Sequence, residues 1–597
     1  MQITIPNPET KRFVRASRGE VLGNLWATKN IDLEANKGKI RLSERIYRLV
    51  DSGDDADLET AAKFIRSDAD KTDRWWALTQ SALAASTDGL MFKTTNTDPL
   101  VGWTQDAIGD TPTAAMTDME IFGQANSYDR LIVARNTDLS MLNNGVWDTS
   151  WWQTTLSGTA LTAGKHILHK FINLLLVTNI NTIHTIDDSL VVVENRITLP
   201  KEYEIVWVAD DGYRVYIGTK HVRGGVGLIF PWDGTSETYD SPLSPDSDIS
   251  WAGCVDENGV MHTINGKGQL LAYDGEGFAE VAALPITESG ITWEDNSTIL
   301  QMVHHNGMCL IGNRIHILLD ASPGNPGNGF LLLENMLGGI WVYDKDVGLY
   351  HKYSVGQYDG STDNDWGAGN FGPNGALVET NPSQGRFLAG CSVYSDNEST
   401  TIKAILTSQV KSSVTNRGYF VTTQIASSNV RAFWKRLNIA FKKLENSTDR
   451  IVVKYRNDKN SNLYHTTGYV KANEITWTST KTFTSTQAMF AYAAVGQEVE
   501  IIVGKGAGAT AHISAVSYTD PTYTVTIDEA IPGASGDADA RLMNWTKLGA
   551  ISSQTVAKQL YKIAKRSKWI QFKIELRGTE SSPEIEELLI EFNQSKR

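Results

Sequence analysis

Leu271-Ala272-Tyr273-Asp274-Gly275-Glu276-Gly277-Phe278 reads as the end of one strand, a tight turn and the start of the next, and the chain repeats that phrase. It returns as Asn143-Asn144-Gly145-Val146-Trp147-Asp148, as Phe230-Pro231-Trp232-Asp233-Gly234 and as Trp341-Val342-Tyr343-Asp344-Lys345-Asp346-Val347-Gly348. Asn-Gly and Asp-Gly supply the positive φ that short hairpin turns need, and the flanking aromatics suit a half-buried pleated surface. Short apolar strands recur with them: Trp75-Trp76-Ala77-Leu78, Leu131-Ile132-Val133-Ala134, Leu174-Leu175-Leu176-Val177, Val215-Tyr216-Ile217-Gly218, Val260-Met261-His262-Thr263, Cys309-Leu310-Ile311-Gly312 and Phe387-Leu388-Ala389-Gly390. Most intervals are about 40 to 55 residues. A period of that size with several short strands per unit marks β-propeller blades, each a four-stranded sheet that cannot bury both faces alone. An insertion carrying Pro323-Gly324-Asn325-Pro326-Gly327 and a Gly-rich stretch from Gly367 to Gly375 leave the count at six or seven. The competing reading is a stack of unrelated hairpins in a sandwich.

Working outward, the 597 residues exceed one ordinary core, and about 150 residues per domain implies three or four units. Residues 1–70 form an N-terminal arm, in which Asn30-Ile31-Asp32-Leu33 and Gly38-Lys39-Ile40-Arg41-Leu42 read as short strands and Leu58 to Ile65 as an amphipathic helix. Residues 71–410 are the propeller. Beyond them the strands lengthen and alternate apolar with charged residues, as in Arg450 to Arg456 and Trp569 to Arg577. That pattern predicts one buried and one wet face. Residues 411–483 and 546–597 therefore form an antiparallel β-sandwich platform. Residues 484–545, with Gly504-Lys505-Gly506-Ala507-Gly508 between strands, read as a small β-barrel inserted in a sandwich loop. The fold class is all-β: an irregular six- or seven-bladed β-propeller, then a sandwich with an inserted barrel.

The formal charge of −14 is uneven. Residues 401–460 carry +9 and residues 555–577 carry +6, which leaves about −29 on the remainder. An acidic body argues against simple coating of nucleic acid, which needs a concentrated positive stripe. The basic segments read either as solvated strand faces or as a subunit face that docks on an acidic neighbour. Cys254, Cys309 and Cys391 have unrelated spacings, so reduced thiols are expected. Met1 to Pro6 lacks the features of a secretory signal and no window approaches a membrane span, which places synthesis in the cytoplasm.

Catalytic patterns are weak. Gly504 to Gly508 lacks the Gly-Lys-Ser/Thr ending of a phosphate loop and is followed by no helix pattern. His304-His305 beside Cys309 has no second ligand cluster, and adjacent strand residues are expected to face opposite ways. Asp256-Glu257, Asp274 with Glu276, and Asp344 with Asp346 could in principle act as a glycosidase pair. They read more simply as solvated turn acids. Trp103, Trp147, Trp151, Trp152 and Trp232 suit either inter-blade packing or recognition of a sugar or partner. No catalytic, cofactor-binding or metal-binding residue is assigned, no cofactor is expected, and the chain reads as not an enzyme.

The order of parts carries a resemblance. Asn30-Ile31-Asp32-Leu33 with Gly38-Lys39-Ile40-Arg41, the uneven propeller, Phe433-Trp434-Lys435-Arg436-Leu437 and the closing Ser582-Pro583-Glu584-Ile585 together resemble tailed-bacteriophage tail structural proteins, specifically the tail nozzle of short-tailed phages. The inserted barrel departs from that pattern, which leaves a tail-tip or hub role open. The resemblance implies a homo-oligomeric ring of six copies in the virion tail, around the DNA exit channel. It also implies contacts to adaptor and fibre proteins and passage of DNA without sequence-specific binding. The alternative is a propeller lectin or host-receptor-recognition module of the virion.

Overall fold

The computed structural model describes residues 2–5, 25–33, 39–44, 47–50, 62–68, 74–79, 91–94, 104–106, 116–125, 128–143, 146–284, 291–292, 298–299, 302–320, 330–332, 338–353, 366–372, 377–381, 386–395, 400–407, 417–426, 431–458, 469–471, 473–503, 509–531, 533–578 and 581–594. Strands make up 64% of the structure. Helix among the described residues is limited to the short turns Trp151–Thr155 and Ala488–Tyr492. The expected helix at Leu58 to Ile65 is not formed where it is described, since Ala62–Asp68 is a strand. Its residues pair with Arg74–Thr79, and inter-strand hydrogen bonds override a local helical pattern.

Among the described residues, seven antiparallel sheets of three to five strands follow one another from residue 62 to residue 407, with the small pair Ile291–Thr292/Thr298–Ile299 between the fifth and the sixth. Their inner strands form a closed circuit. Ala62–Asp68, Met116–Ala125, Leu168–Phe171, Tyr203–Asp210, Ser250–Val255 and Met302–Ile311 each lie against the next. Met302–Ile311 then meets Leu377–Asn381, which returns to Ala62–Asp68. This is a propeller-like ring. The seventh sheet is completed by Tyr47–Val50, which pairs with Thr400–Thr407, so backbone hydrogen bonds from a strand before the first sheet close the circle. In five of the seven sheets the repeated apolar phrase is the second strand, as with Leu174–Asn179 and Met261–Asn265.

The aspartates of the repeat make its turns. Asp274 Oδ1 accepts from the backbone N–H groups of Glu276 and Gly277 at 3.0 and 2.9 Å. Asp233 does the same for Thr235 and Ser236, and Asp344 for Asp346 and Val347. A carboxylate that accepts two N–H groups substitutes for a missing backbone partner, which is why Asp recurs there. Trp207 shows how neighbouring sheets lock. Its indole N–H donates to Ser250 Oγ of the fifth sheet at 2.9 Å, and its ring lies against Gly218 and Gly253 so closely that a Cβ on Gly253 would stand 2.4 Å from Cη2. Gly253→Ala is therefore expected to destabilise the protein by about 2 kcal/mol through overpacking. An unchanged thermal midpoint would mean that the indole has room to slide away.

Two sheets face each other behind the ring. One is ordered Gln2–Ile5, Ile585–Gln594, Ala432–Phe441, Lys558–Ser567; the other begins Leu25–Lys29, Arg417–Thr422, Trp569–Arg577, Arg450–Asn457, Gly536–Ile551. Trp434, Ile439, Phe572, Ile574 and Phe592 are buried between them. That core continues without a break into Ile340, Tyr350 and Phe387 of the sixth and seventh sheets. The second sheet runs on into a closed six-stranded barrel, because Gly536–Ile551 pairs at its N-terminal half with both Asn473–Ser479 and Gln497–Val503. The barrel thus recruits a hairpin that starts at residue 473, ahead of the expected boundary at 484. Its core holds Ile475, Trp477, Phe483, Phe490, Ile501 and Leu542.

Candidate functional site: a charged seam and a ring centre

Trp569–Arg577 alternates apolar and polar residues, and one wet face was expected. Gln571, Lys573, Glu575 and Arg577 are instead all buried, because the barrel covers that face. Lys454 Nζ lies 3.1 Å from Glu498 of the barrel and 2.5 Å from Glu575. Lys573 Nζ lies 3.0 Å from the other oxygen of Glu498 and 4.2 Å from the centre of the Tyr419 ring. Thr510 donates to Glu575 at 3.2 Å, and Arg577 binds both Glu575 and Glu529. Beside them Arg541 donates to Glu500 through two nitrogens, at 2.8 and 2.6 Å. Arg456 stacks 4.2 Å over Trp545.

The electrostatics follow from burial against proximity. Burial pushes the Glu498 carboxyl up, but Lys454, Lys573 and His512 together hold it below its ordinary value. Burial acts the same way on Glu575, and Arg577, Lys454 and Arg417 hold it well below. Both are carboxylates at neutral pH. Part of the basic C-terminal charge is therefore neither a solvated face nor a free docking face, since Lys454, Lys573 and Arg577 are spent inside the molecule. The strict alternation of 569–577 was the available signal. It could not say whether water or a second polar surface lay opposite.

The N-terminal arm forms a second junction. Leu25–Lys29 pairs with Arg417–Thr422 of the sandwich, while Thr28 Oγ1 accepts from the backbone N–H of His351 in the sixth sheet at 2.9 Å. His351 Nδ1 accepts from the Asn30 N–H at 3.3 Å, and its Nε2 lies 2.9 Å from the Gly338 carbonyl. This arrangement fits a neutral imidazole with its proton on Nε2, and burial pushes its pKa down to about 4. Asn30 adopts φ 54° and donates through its side chain to Arg417 O at 3.1 Å. Gly418 is required there, because a Cβ would stand 2.6 Å from Asn30 O.

At the ring centre, Lys165 precedes the third sheet and its Nζ is 2.8 Å from His305 Nδ1 of the sixth sheet. These sheets are as far apart around the circuit as any two can be, so the contact spans the middle. Lys165 keeps contact with solvent although protein surrounds it. That partial desolvation pushes its pKa down to about 8, with Asp118 and Glu204 opposing the shift and Lys220 adding to it. Nothing in the sequence marked this lysine.

Other residues singled out in the sequence are placed as follows. His304 and His305 do not face opposite ways: their rings are 4.1 Å apart, because the register shifts between Val303 and Met308. Among the described residues no group of three or more His, Cys, Asp or Glu could hold a metal ion. Cys254 is buried and its thiol is pushed up to about 12 by burial. Trp151, Trp152 and Trp232 are fully buried and unavailable for recognition, since packing between sheets takes them. Trp147 is partly buried, and Trp103 and Gly504 to Gly508 lie outside the described residues. No helix among the described residues is long and apolar enough to cross a membrane.

No protein-family model matches the chain, and no curated protein matches it. Among solved structures it is similar to virginiamycin B lyase from Staphylococcus aureus, at 9% identity over 60% of this chain and 98% of that one, with a TM-score of 0.37. It is also similar to YCF48 bound to D1 peptide, at 10% identity over 63% and 97% of the two chains, with a TM-score of 0.36. Likeness at this level transfers no activity or ligand.

Proposed function

We propose that this chain is a non-enzymatic structural subunit of a phage tail, built as a seven-bladed propeller joined to a sandwich platform with an inserted barrel. In this reading, copies form a ring, or nozzle, around the DNA exit channel of the virion and contact adaptor and fibre proteins. One observation carries the reading: among the described residues the parts are stitched together by shared strands and a continuous core. Leu25–Lys29 and Tyr47–Val50, close in sequence, are strands of the sandwich and of the seventh sheet respectively. Phe330–Leu332, inserted in the sixth sheet, pairs with Tyr469–Lys471 beside the barrel. The sandwich core continues into the ring of sheets. A subunit that transmits force between neighbours needs such rigidity, whereas domains joined by linkers move by default. Electron microscopy of the purified protein and of antibody-labelled particles from its source tests the reading. A ring of copies at a virion tail is expected; protein that stays monomeric and labels no particle would remove it.

A second reading, recognition of a host glycan or receptor, is favoured by the Tyr518 and Tyr523 rings, 4.5 Å apart on the hairpin Thr510–Thr519/Thr522–Ile527. Tyr518 is 54% exposed, and exposed aromatic faces stack on sugars. Reproducible glycan-array binding that Tyr518→Ala abolishes is the expected result if this reading holds.

A further inference from the structure

Lys558–Ser567 is the outermost strand of its sandwich sheet, and among the described residues no strand pairs with its other edge. Residues 551–569 contain five cations and no carboxylate. All five, Lys558, Lys562, Lys565, Arg566 and Lys568, are exposed. The sheet does not neutralise them. Glu591 is bonded to Arg436 at 2.6 Å, and Arg436 stands between it and Lys562 in the strand register. Lysines on an edge can serve simply to keep it from pairing. The charge on the opposite part of the molecule points further.

In an antiparallel meander, the turn between strands one and two and the turn between strands three and four fall at the same end. In the third to sixth sheets those turns include residues 187–191, 211–214, 233–239, 256–259, 274–277 and 344–347, which hold eleven carboxylates against Arg214 and Lys345. One end of the ring is thus strongly acidic over four consecutive sheets. The second oxygens of Asp211, Asp256 and Asp344 are engaged by Tyr216, His262 and Arg314, whereas at Asp233 and Asp274 the turn N–H groups engage one oxygen, and those two aspartates, with Glu237, Glu257 and Glu276, are exposed at this end or beside it.

We propose that the basic Lys558–Ser567 edge of one copy docks on the acidic turn end of the propeller of the next copy. The proposal rests on the ring reading and names its contact. Two different patches of one chain meet, which is a heterologous interface, and such interfaces generate closed rings when the rotation closes. Complementary charge steers the encounter and penalises wrong registers. The free backbone groups of the edge favour a protein partner over nucleic acid, whose phosphates would use the lysines and leave the edge N–H and C=O groups uncovered.

Two triple variants at exposed positions test it by mass photometry and sedimentation at low and high ionic strength. One is Lys562→Glu/Lys565→Glu/Arg566→Glu, and the other is Glu237→Lys/Glu257→Lys/Glu276→Lys, with folding of each checked by thermal melting. Each alone is expected to weaken self-assembly by about a hundredfold or more. Mixing the two should restore it in even-numbered rings, because each reversed patch then meets its complement. Wild-type assembly that both variants retain would overturn this contact and leave the ring reading standing. A wild-type chain that stays monomeric at every concentration would overturn both. Loss of binding to a short DNA duplex in the lysine variant, with assembly intact, would assign the edge to nucleic acid instead.

Discussion

Lys454→Met is expected to destabilise the sandwich–barrel unit by about 3–5 kcal/mol, because it leaves two carboxylates buried with less compensation. The Lys454 side chain has no exposed surface, and those of Glu498 and Glu575 have 0% and 4%. Lys573 would remain for Glu498, and Arg577 for Glu575. Removing the partner as well should be milder. Lys454→Met combined with Glu498→Leu is expected to recover part of the loss, since a buried ion pair contributes little net stability over an apolar pair of similar size. Denaturant titration of the four proteins of this double-mutant cycle gives the coupling directly. A loss under about 1 kcal/mol for Lys454→Met would mean that water reaches the seam. The seam's role is then to fix how the barrel sits on the sandwich, since ion pairs tolerate only one register where apolar surfaces tolerate several.

Acid should loosen the junction between the ring and the sandwich before it breaks the seam. Burial holds His351 of that junction at about 4, and holds His316, which lies in the sixth sheet 6.1 Å from the Phe387 ring of the seventh, at about 3, against about 6.5 in an unfolded chain. Lys352 and Arg314 add to the depression of His316. Folded-state values below the unfolded value mean that the unfolded chain binds more protons as the pH falls. The stability is therefore fully present above about pH 6.5 and is lost progressively towards pH 4 and below, by on the order of 3 kcal/mol for His351 and 5 kcal/mol for His316. Glu498 and Glu575, also depressed, withdraw their contribution only as the pH falls below the ordinary carboxylate range near 4.5. Thermal melting between pH 7.5 and 4 should show a falling midpoint, and His351→Gln should flatten part of that slope. A flat wild-type profile down to pH 5 would count against buried neutral histidines at these positions.

Much of the architecture was legible because its signals are local. An Asp or Asn followed by Gly makes a turn whatever surrounds it, and five quoted apolar phrases fall on second strands of successive sheets. The extra barrel was legible from its closely spaced short strands, although its start was placed late, because the hairpin Asn473–Ser479/Thr482–Ser485 carries no mark of which sheet it joins. Misreadings share one cause. Trp151, Trp152 and Trp232 look the same in sequence whether a neighbouring sheet or water covers them. Alternation in Trp569–Arg577 reports two different faces and says nothing about what lies opposite each.

By itself, then, the sequence determined an all-β chain of repeated hairpins, an acidic ring region and basic later strands, since φ preferences, strand periodicity and charge belong to neighbouring residues. Tertiary structure alone decided which charges are free. Lys573 and Lys562 are both strand lysines in the same basic stretch, yet one is buried beside Glu498 and the other stands exposed on an unpaired edge. Burial is set by contacts between residues far apart in the chain, such as Lys573 with Glu498 and Lys454 with Glu575, and no local pattern encodes them.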